Sequence, residues 1–326
     1  MFGKNYCMKF TIISFLYIVV GGVIIGGFIM YVFPILIRHR NAAFDDMRSP
    51  LTASIVTKSA RQATSTLSAP SSPPLNTRAV FVDNFDTSYT VQEAGSMDES
   101  NNAFWWVSSG GYFYSGKGVG KTIQGALPAI DPWRVAYALS NSLDTDKGYY
   151  PQNIFRLVSR NVWKNFVQEV YVQITHLNMS ASPNRNASNG VLLFNRYQDP
   201  YNLYYTGLRV DGALVIKKKV RGVYYTLAYK PWYKSAMAYD RTKNQDIIPL
   251  YHWIGLRSEV STDTKTHVVT IKLFIDENDT GNWVLAVQAT DDGTMYGGAP
   301  ILDAGYAGIR TDFMDAMFRD YKIVEQ

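Results

Sequence analysis

Residues 166–175 alternate in a way that, on a β-strand, sends Phe166, Gln168, Val170, Val172 and Ile174 to one face and Val167, Glu169, Tyr171, Gln173 and Thr175 to the other. The second face carries an acid, a phenol and an amide in line. Sugar recognition asks for that combination, because flat aromatic faces cover apolar CH groups while planar polar side chains fix the hydroxyls. The same residues would equally suit the solvated side of a half-exposed antiparallel sheet that binds nothing. Trp105, Trp106 and Trp133 stand in stretches containing Gly110-Gly111 and Pro132. They could stack on a sugar, although core or inter-sheet packing is the commoner use of tryptophan.

Other chemistries find little support. There is no G-x-S-x-G elbow, and His176, His252 and His267 share no motif with a nucleophile. Neither His-x-x-x-His nor paired cysteines suggest zinc, since Cys7 is the one cysteine. Gly120-Lys121-Thr122 imitates the end of a phosphate loop, but its first glycine would be position 115, which is Ser115, so the stretch reads as a β-turn region. Lys217, Lys218, Lys219 and Arg221 form a basic run; on a hairpin half of it faces water, which reads as a solvated edge. Asn178, Asn186 and Asn278 lie in Asn-x-Ser/Thr sequons, relevant only in a eukaryotic secretory pathway.

The elements that would position these groups are strands. Asp211-Gly212 joins two alternating runs, 203–210 and 213–220, as a two-residue type I′ turn with positive φ, and Arg221-Gly222 follows as a second tight turn. In 267–276, Val269, Ile271, Leu273 and Ile275 share a face, and Trp283, Leu285 and Val287 continue the pattern after a turn-rich stretch. Similar runs at 104–107, 135–139, 190–197, 252–260, 304–310 and 317–324 bring the count to about a dozen strands, which normally split into two packed layers. An all-β, two-sheet antiparallel sandwich of the jelly-roll kind is expected over residues 78–326, held by packing alone.

Ahead of it, residues 10–37 contain no charged side chain and are long enough to cross a bilayer as a helix; a cleaved signal would have a shorter apolar run. Gly22 and Gly26 form a GxxxG spacing that gives weak grounds for helix pairing. Residues 1–9 form a short tail, and 38–77 a flexible stalk. Within the stalk, 19 of the 28 residues from Ser49 to Asn76 are Ser, Thr, Pro or Ala, with no acid and no aromatic. Flanking charge slightly favours a cytoplasmic C-terminus, but long domains translocate regardless of charge, and the stalk argues for an extracytoplasmic domain. Four of the 32 basic residues lie in residues 1–40, leaving 28 against 27 acids. So balanced a domain gives no warrant for nucleic-acid binding.

Asn84-Phe85-Asp86, Gly190-Val191-Leu192-Leu193-Phe194 with Arg196-Tyr197-Gln198-Asp199-Pro200, Tyr204-Tyr205, Trp253-Ile254-Gly255-Leu256-Arg257-Ser258-Glu259-Val260, Gly305-Tyr306-Ala307-Gly308-Ile309-Arg310 and Phe318-Arg319-Asp320-Tyr321 follow in order along the domain. The series resembles the concanavalin A-like lectin/glucanase superfamily, in particular its laminin-G-like modules and the 3-keto-disaccharide hydrolase-like domain. Asn195 separates Phe194 from Arg196 where the family would have them adjacent, which points to a bulge or to an altered face for Arg196.

The resemblance implies a glycan site on the concave sheet, made of Glu169, Tyr171 and Gln173 with Arg196 and Tyr204 on neighbouring strands. It also implies a structural Ca2+ at Asp83, Asp86 and Asp320, completed by backbone carbonyls. The superfamily's sandwich glucanases carry Glu-x-Asp-x-x-Glu, since retaining hydrolysis needs two carboxyls about 5–5.5 Å apart, and no such motif occurs here. The expected role is therefore a membrane-anchored, non-catalytic carbohydrate-binding protein of the cell surface, with a polysaccharide or glycan and the lipid bilayer as partners. The alternatives are a glycoside hydrolase and a structural or protein-binding envelope module.

Overall fold

The structure is a computed structural model and describes residues 79–234, 238–243 and 247–326. The apolar segment 10–37, its tail and its stalk lie outside the described residues. Among the described residues no helix is long and apolar enough to cross a membrane.

Sixteen strands form two antiparallel sheets. Their ranges are β1 Val80–Asp83, β2 Tyr89–Gln92, β3 Trp105–Ser109, β4 Tyr112–Gly116, β5 Val119–Thr122, β6 Ile154–Trp163, β7 Phe166–Leu177 and β8 Gly190–Asp199. The second half runs β9 Asn202–Arg209, β10 Ala213–Val220, β11 Val223–Pro231, β12 Trp253–Thr262, β13 Val269–Asp276, β14 Val284–Asp291, β15 Gly305–Asp312 and β16 Met314–Glu325. One sheet has nine strands in the order β14-β13-β12-β7-β16-β5-β4-β2, with β1 added on β16; the other has seven, β11-β10-β9-β8-β15-β6-β3. The expected sandwich is the observed one.

Alternation does what it should at the interface between the sheets. Val170, Val172 and Ile174 of β7 and Val269, Ile271, Leu273 and Ile275 of β13 meet Val191 and Leu193 of β8 and Leu214 and Ile216 of β10 in one core. Each fully buried side chain of this size contributes about 1.5–3 kcal/mol. A polar cluster crosses that core. Tyr321 donates to Gln168 Oε1 at 2.9 Å, Gln168 Nε2 donates to Asn195 Oδ1 at 3.1 Å, and Ser258 donates to the same oxygen at 3.0 Å. These partners fix the two sheets in one register, because slippage would strand buried polar atoms.

Four local expectations differ from the structure. Residues 135–139 are not a strand but part of helix α1, Pro132–Ser140, where the Asp131 side chain accepts from Trp133 N at 2.8 Å and Pro132 takes the first turn. Gly120-Lys121-Thr122 lies inside β5 rather than in a turn. At Asp211-Gly212 only Gly212 has positive φ (81°), after a turn closed from Gly212 N to Arg209 O at 2.9 Å, so the loop has three residues; Arg221 (48°) and Gly222 (84°) form the two-residue turn of the expected type. A bulge opposite Leu273–Phe274 pairs Leu285 with Phe274, so Trp283 and Leu285 leave the core face and Val287 regains it.

Candidate functional site

Glu169, Tyr171 and Gln173 do lie together, on the outer side of the nine-stranded sheet, facing Arg257, Gly255 and Trp253 of β12 and Lys322, Arg319 and Met317 of β16. That face is internally matched. Glu169 sits 3.9 Å from Arg257 and 3.8 Å from Lys322, and Glu259 takes Arg257 at 3.0 Å and Lys272 at 3.6 Å. Tyr171 donates to Asp276 Oδ2 at 2.8 Å, and the backbone N–H groups of Thr280 and Gly281 converge on the same oxygen. The Arg319 guanidinium lies over the rings of Tyr171 and Trp253 at 5.1 and 4.7 Å and is ion-paired to Asp279. At Gly255 a Cβ would come within 2.8 Å of Trp283 and 2.9 Å of Tyr171, so the rings fill the space a side chain would take.

Arg196 and Tyr204 are not on strands neighbouring β7; they belong to the seven-stranded sheet and point into the protein. The irregularity at Asn195 is a bulge, with Arg196 at φ 51° and the β8–β9 register broken between Asn195 and Asp199. It turns Arg196 inward, where the guanidinium donates to Lys164 O (2.8 Å), Ile301 O (2.7 Å), Asn165 Oδ1 (3.1 Å) and Thr262 Oγ1 (2.6 Å). Burial, offset in part by Tyr204, lowers its pKa to about 10. Tyr204 donates to Asp291 Oδ2 at 2.6 Å and accepts from Ile301 N at 3.0 Å, while Lys218 pairs with Asp291 at 2.8 Å and donates to Gly298 O and Ala299 O. Arg196, Tyr204 and Lys218 thus hold the 298–301 segment onto the sandwich and present no free donor to a ligand.

The residues suggested for Ca2+ do not fit a cation. The Asp83 carboxylate accepts from Phe85 N (2.9 Å), Tyr89 Oη (2.5 Å) and Trp105 Nε1 (2.7 Å), which fixes β1 to the core. Asp86 and Asp320 are exposed, and Asp320 lies 3.7 Å from Arg319. Among the described residues no three His, Cys, Asp or Glu side chains gather where they could hold a metal ion.

The outer side of the seven-stranded sheet has a different character. Val158, Leu192, Phe194, Tyr197, Leu203, Tyr205 and Val215 form a second apolar cluster, apart from the core, with Met97, Trp106 and Tyr306 packed against it. No third layer of regular structure covers this face among the described residues. The floor is shaded instead by tall side chains. Arg310 of β15 donates to the hydroxyls of Tyr205 (3.2 Å) and Tyr224 (3.3 Å), whose rings stack at 6.0 Å. Lys219 lies over the Tyr224 and Tyr201 rings, and Arg209 over Tyr229. Tyr224 and Tyr229 leave 47% and 48% of their surface open, enough to touch a ligand. Burial raises the Tyr224 phenol, but Arg310 and Lys219 outweigh it and bring the pKa below the ordinary phenol range.

The basic run reads differently here from a solvated edge. β10 is flanked by β9 and β11, Lys218 is fully buried, and Lys217 is only 9% exposed. The sequence held the signal: the Arg221-Gly222 turn fixes Lys219 opposite Tyr224, and alternation then sets Lys217 and Val215 on the same side as Tyr205. A separate recess at the sandwich end, lined by Leu177, Arg185, Asn189, Val210, Tyr239, Asp312 and Phe313, is too small for a sugar chain.

No protein-family model and no curated protein matches the chain. Among solved structures, the carbohydrate-binding module CBM66 from Bacillus subtilis is similar at 14% identity, over 68% of this chain and 96% of that one, with a TM-score of 0.40. The basic winged bean lectin with Tn-antigen is similar at 8% identity, over 76% and 98%, with a TM-score of 0.40. The Bacillus licheniformis beta-glucanase is similar at 9% identity, over 73% and 98%, with a TM-score of 0.37. The two-sheet architecture rests on the strand order of this chain.

Proposed function

We propose that residues 78–326 form a non-catalytic carbohydrate-binding module, displayed at a cell surface by the 10–37 segment and the 38–77 stalk. Its binding face is the outer side of the seven-stranded sheet. The observation that carries the reading is the open rim of that sheet face, where the Tyr224 and Tyr229 rings stand half exposed above a closely packed apolar floor and Arg310 fixes the Tyr224 hydroxyl. Such a surface offers a sugar ring both a flat partner and oriented polar groups.

The carboxylates of this face favour binding over hydrolysis. Asp211 is taken by Arg209 at 2.6 Å and Asp312 by Arg310 at 2.8 Å, so each carboxylate carries an arginine partner. The test is a glycan array probed with the detergent-solubilised full chain. Retention of one or more glycans, lost on Tyr224→Ala, is expected. Retention of none, or turnover of a retained glycan, contradicts the reading.

A further inference from the structure

Charge is distributed unequally between the two outer faces. On the nine-stranded sheet, each of the four bases Arg257, Lys272, Lys322 and Arg319 has an acid partner among Glu169, Glu259 and Asp279. On the seven-stranded sheet, Arg156, Arg209, Lys217, Lys219 and Arg310 share Asp211 and Asp312, and each of those acids is held by the arginine two residues before it. Among the described residues neither Lys217 nor Lys219 has a carboxylate within ion-pair distance, while Arg156 acts on the Glu93 carboxyl nearby.

Lys217 is the telling case. Its neighbour Lys218 is buried with a partner, Asp291, whereas Lys217 is almost as deeply buried without one. Holding a largely buried lysine beside other cations is unfavourable, and the Tyr224 ring, 5.9 Å from the ammonium, and the Asp211 charge offset that cost only in part. Burial first, and then Arg209 and Arg310, push the Lys217 pKa down; burial does the same at Lys219. An anion seated among these groups would relieve desolvation and repulsion together. The tyrosines around them belong with a ring-bearing anion rather than a bare one.

We infer that this face selects an acidic polysaccharide, with the carboxylate or sulfate of a sugar unit held between Lys217, Lys219 and Arg310 and the ring laid against Tyr224. The inference rests on the carbohydrate-binding reading and adds the substrate class. The domain's near balance of charge means that the positive field is local to this face, which suits a ligand carrying one charge per sugar and a matched ring.

The experiment titrates the full chain in detergent with polygalacturonate, its carboxyl-reduced counterpart, dextran sulfate, dextran and an oligothymidylate. Affinity for polygalacturonate or dextran sulfate is expected to exceed that for the matched neutral chain by about tenfold or more and to fall with salt. Whichever acidic polymer is preferred identifies carboxylate or sulfate as the anion. Lys217→Gln is expected to lower that affinity by about tenfold while leaving the melting temperature unchanged or higher, since it removes a repulsive buried charge. A drop in melting temperature with unchanged affinity assigns Lys217 a structural role and overturns the proposal. Equal affinity for charged and neutral polysaccharides overturns the charge selection and leaves the carbohydrate-binding reading standing. Binding to no polysaccharide overturns both, and oligothymidylate binding as tight as the acidic glycan replaces selection by unspecific polyanion capture.

Discussion

Glu93 shows how burial alone sets a residue's chemistry. Its carboxyl is enclosed beside β3 and accepts from Gly111 N at 2.8 Å and Tyr137 Oη at 2.6 Å. Desolvation outweighs these bonds and the nearby Arg156 and raises its pKa to about 7. A carboxyl raised above its unfolded value binds its proton more tightly in the folded state. Its contribution is therefore complete below pH about 4.5 and lost as pH rises through about 7. Stability is expected to fall by about 3 kcal/mol across that window, and Glu93→Gln to flatten the curve, as read by urea unfolding at pH 5 and pH 8. A second prediction concerns Lys218. Lys218→Ala leaves Asp291 buried without its cation and is expected to cost about 3–5 kcal/mol, whereas Lys217→Gln on the same strand costs nothing; calorimetry distinguishes them. The bulge at Asn195 was legible as a break in the expected pattern, but the partners of the inward-turned Arg196 were not, because no pattern of residue types states where a bulged chain resumes.

At the scale of elements, legibility followed periodicity. β7, β12, β13 and the β9–β10–β11 meander were readable because two-residue alternation with Gly-containing turns fixes both strand and face. The short strands β1, β2, β4 and β5 were not, since four or five residues of mixed polarity carry too little pattern. The 135–139 run misled because its apolar residues suit either structure, and the Asp131-Pro132 start signal outranks them. Pairing partners were the larger gap. Nothing in β7's residues says that β12 and β16, rather than β8 and β9, lie beside it, and the site expected from Glu169 to Tyr204 was split between two sheets for that reason. A test at this scale is the β10–β11 turn. Arg221 holds positive φ, which asparagine tolerates better, so Arg221→Asn is expected to raise stability by about 0.5 kcal/mol, measured by chemical denaturation.

For the whole molecule, two outer faces stand in contrast: one whose bases are each paired with an acid, and one where Lys217 and Lys219 stand among tyrosines without a carboxylate partner. The pH dependence of binding follows from the second. Arg310, Lys219, Lys217 and Tyr205 surround the Tyr224 hydroxyl, and its depressed pKa brings a phenolate onto the face in mildly alkaline solution. Affinity for an acidic glycan is therefore expected to decline from pH 7 to pH 10, and Tyr224→Phe to remove the part of that decline that precedes lysine titration. The most direct measurement compares the faces themselves, by titrating a glycan retained on the array into two double variants of the full chain. Tyr224→Ala with Tyr229→Ala is expected to lose about tenfold or more in affinity, and Gln173→Ala with Trp253→Ala to stay within about twofold of the parent. The reverse outcome, binding abolished by the second pair and spared by the first, would contradict the assignment of the sugar to the seven-stranded sheet.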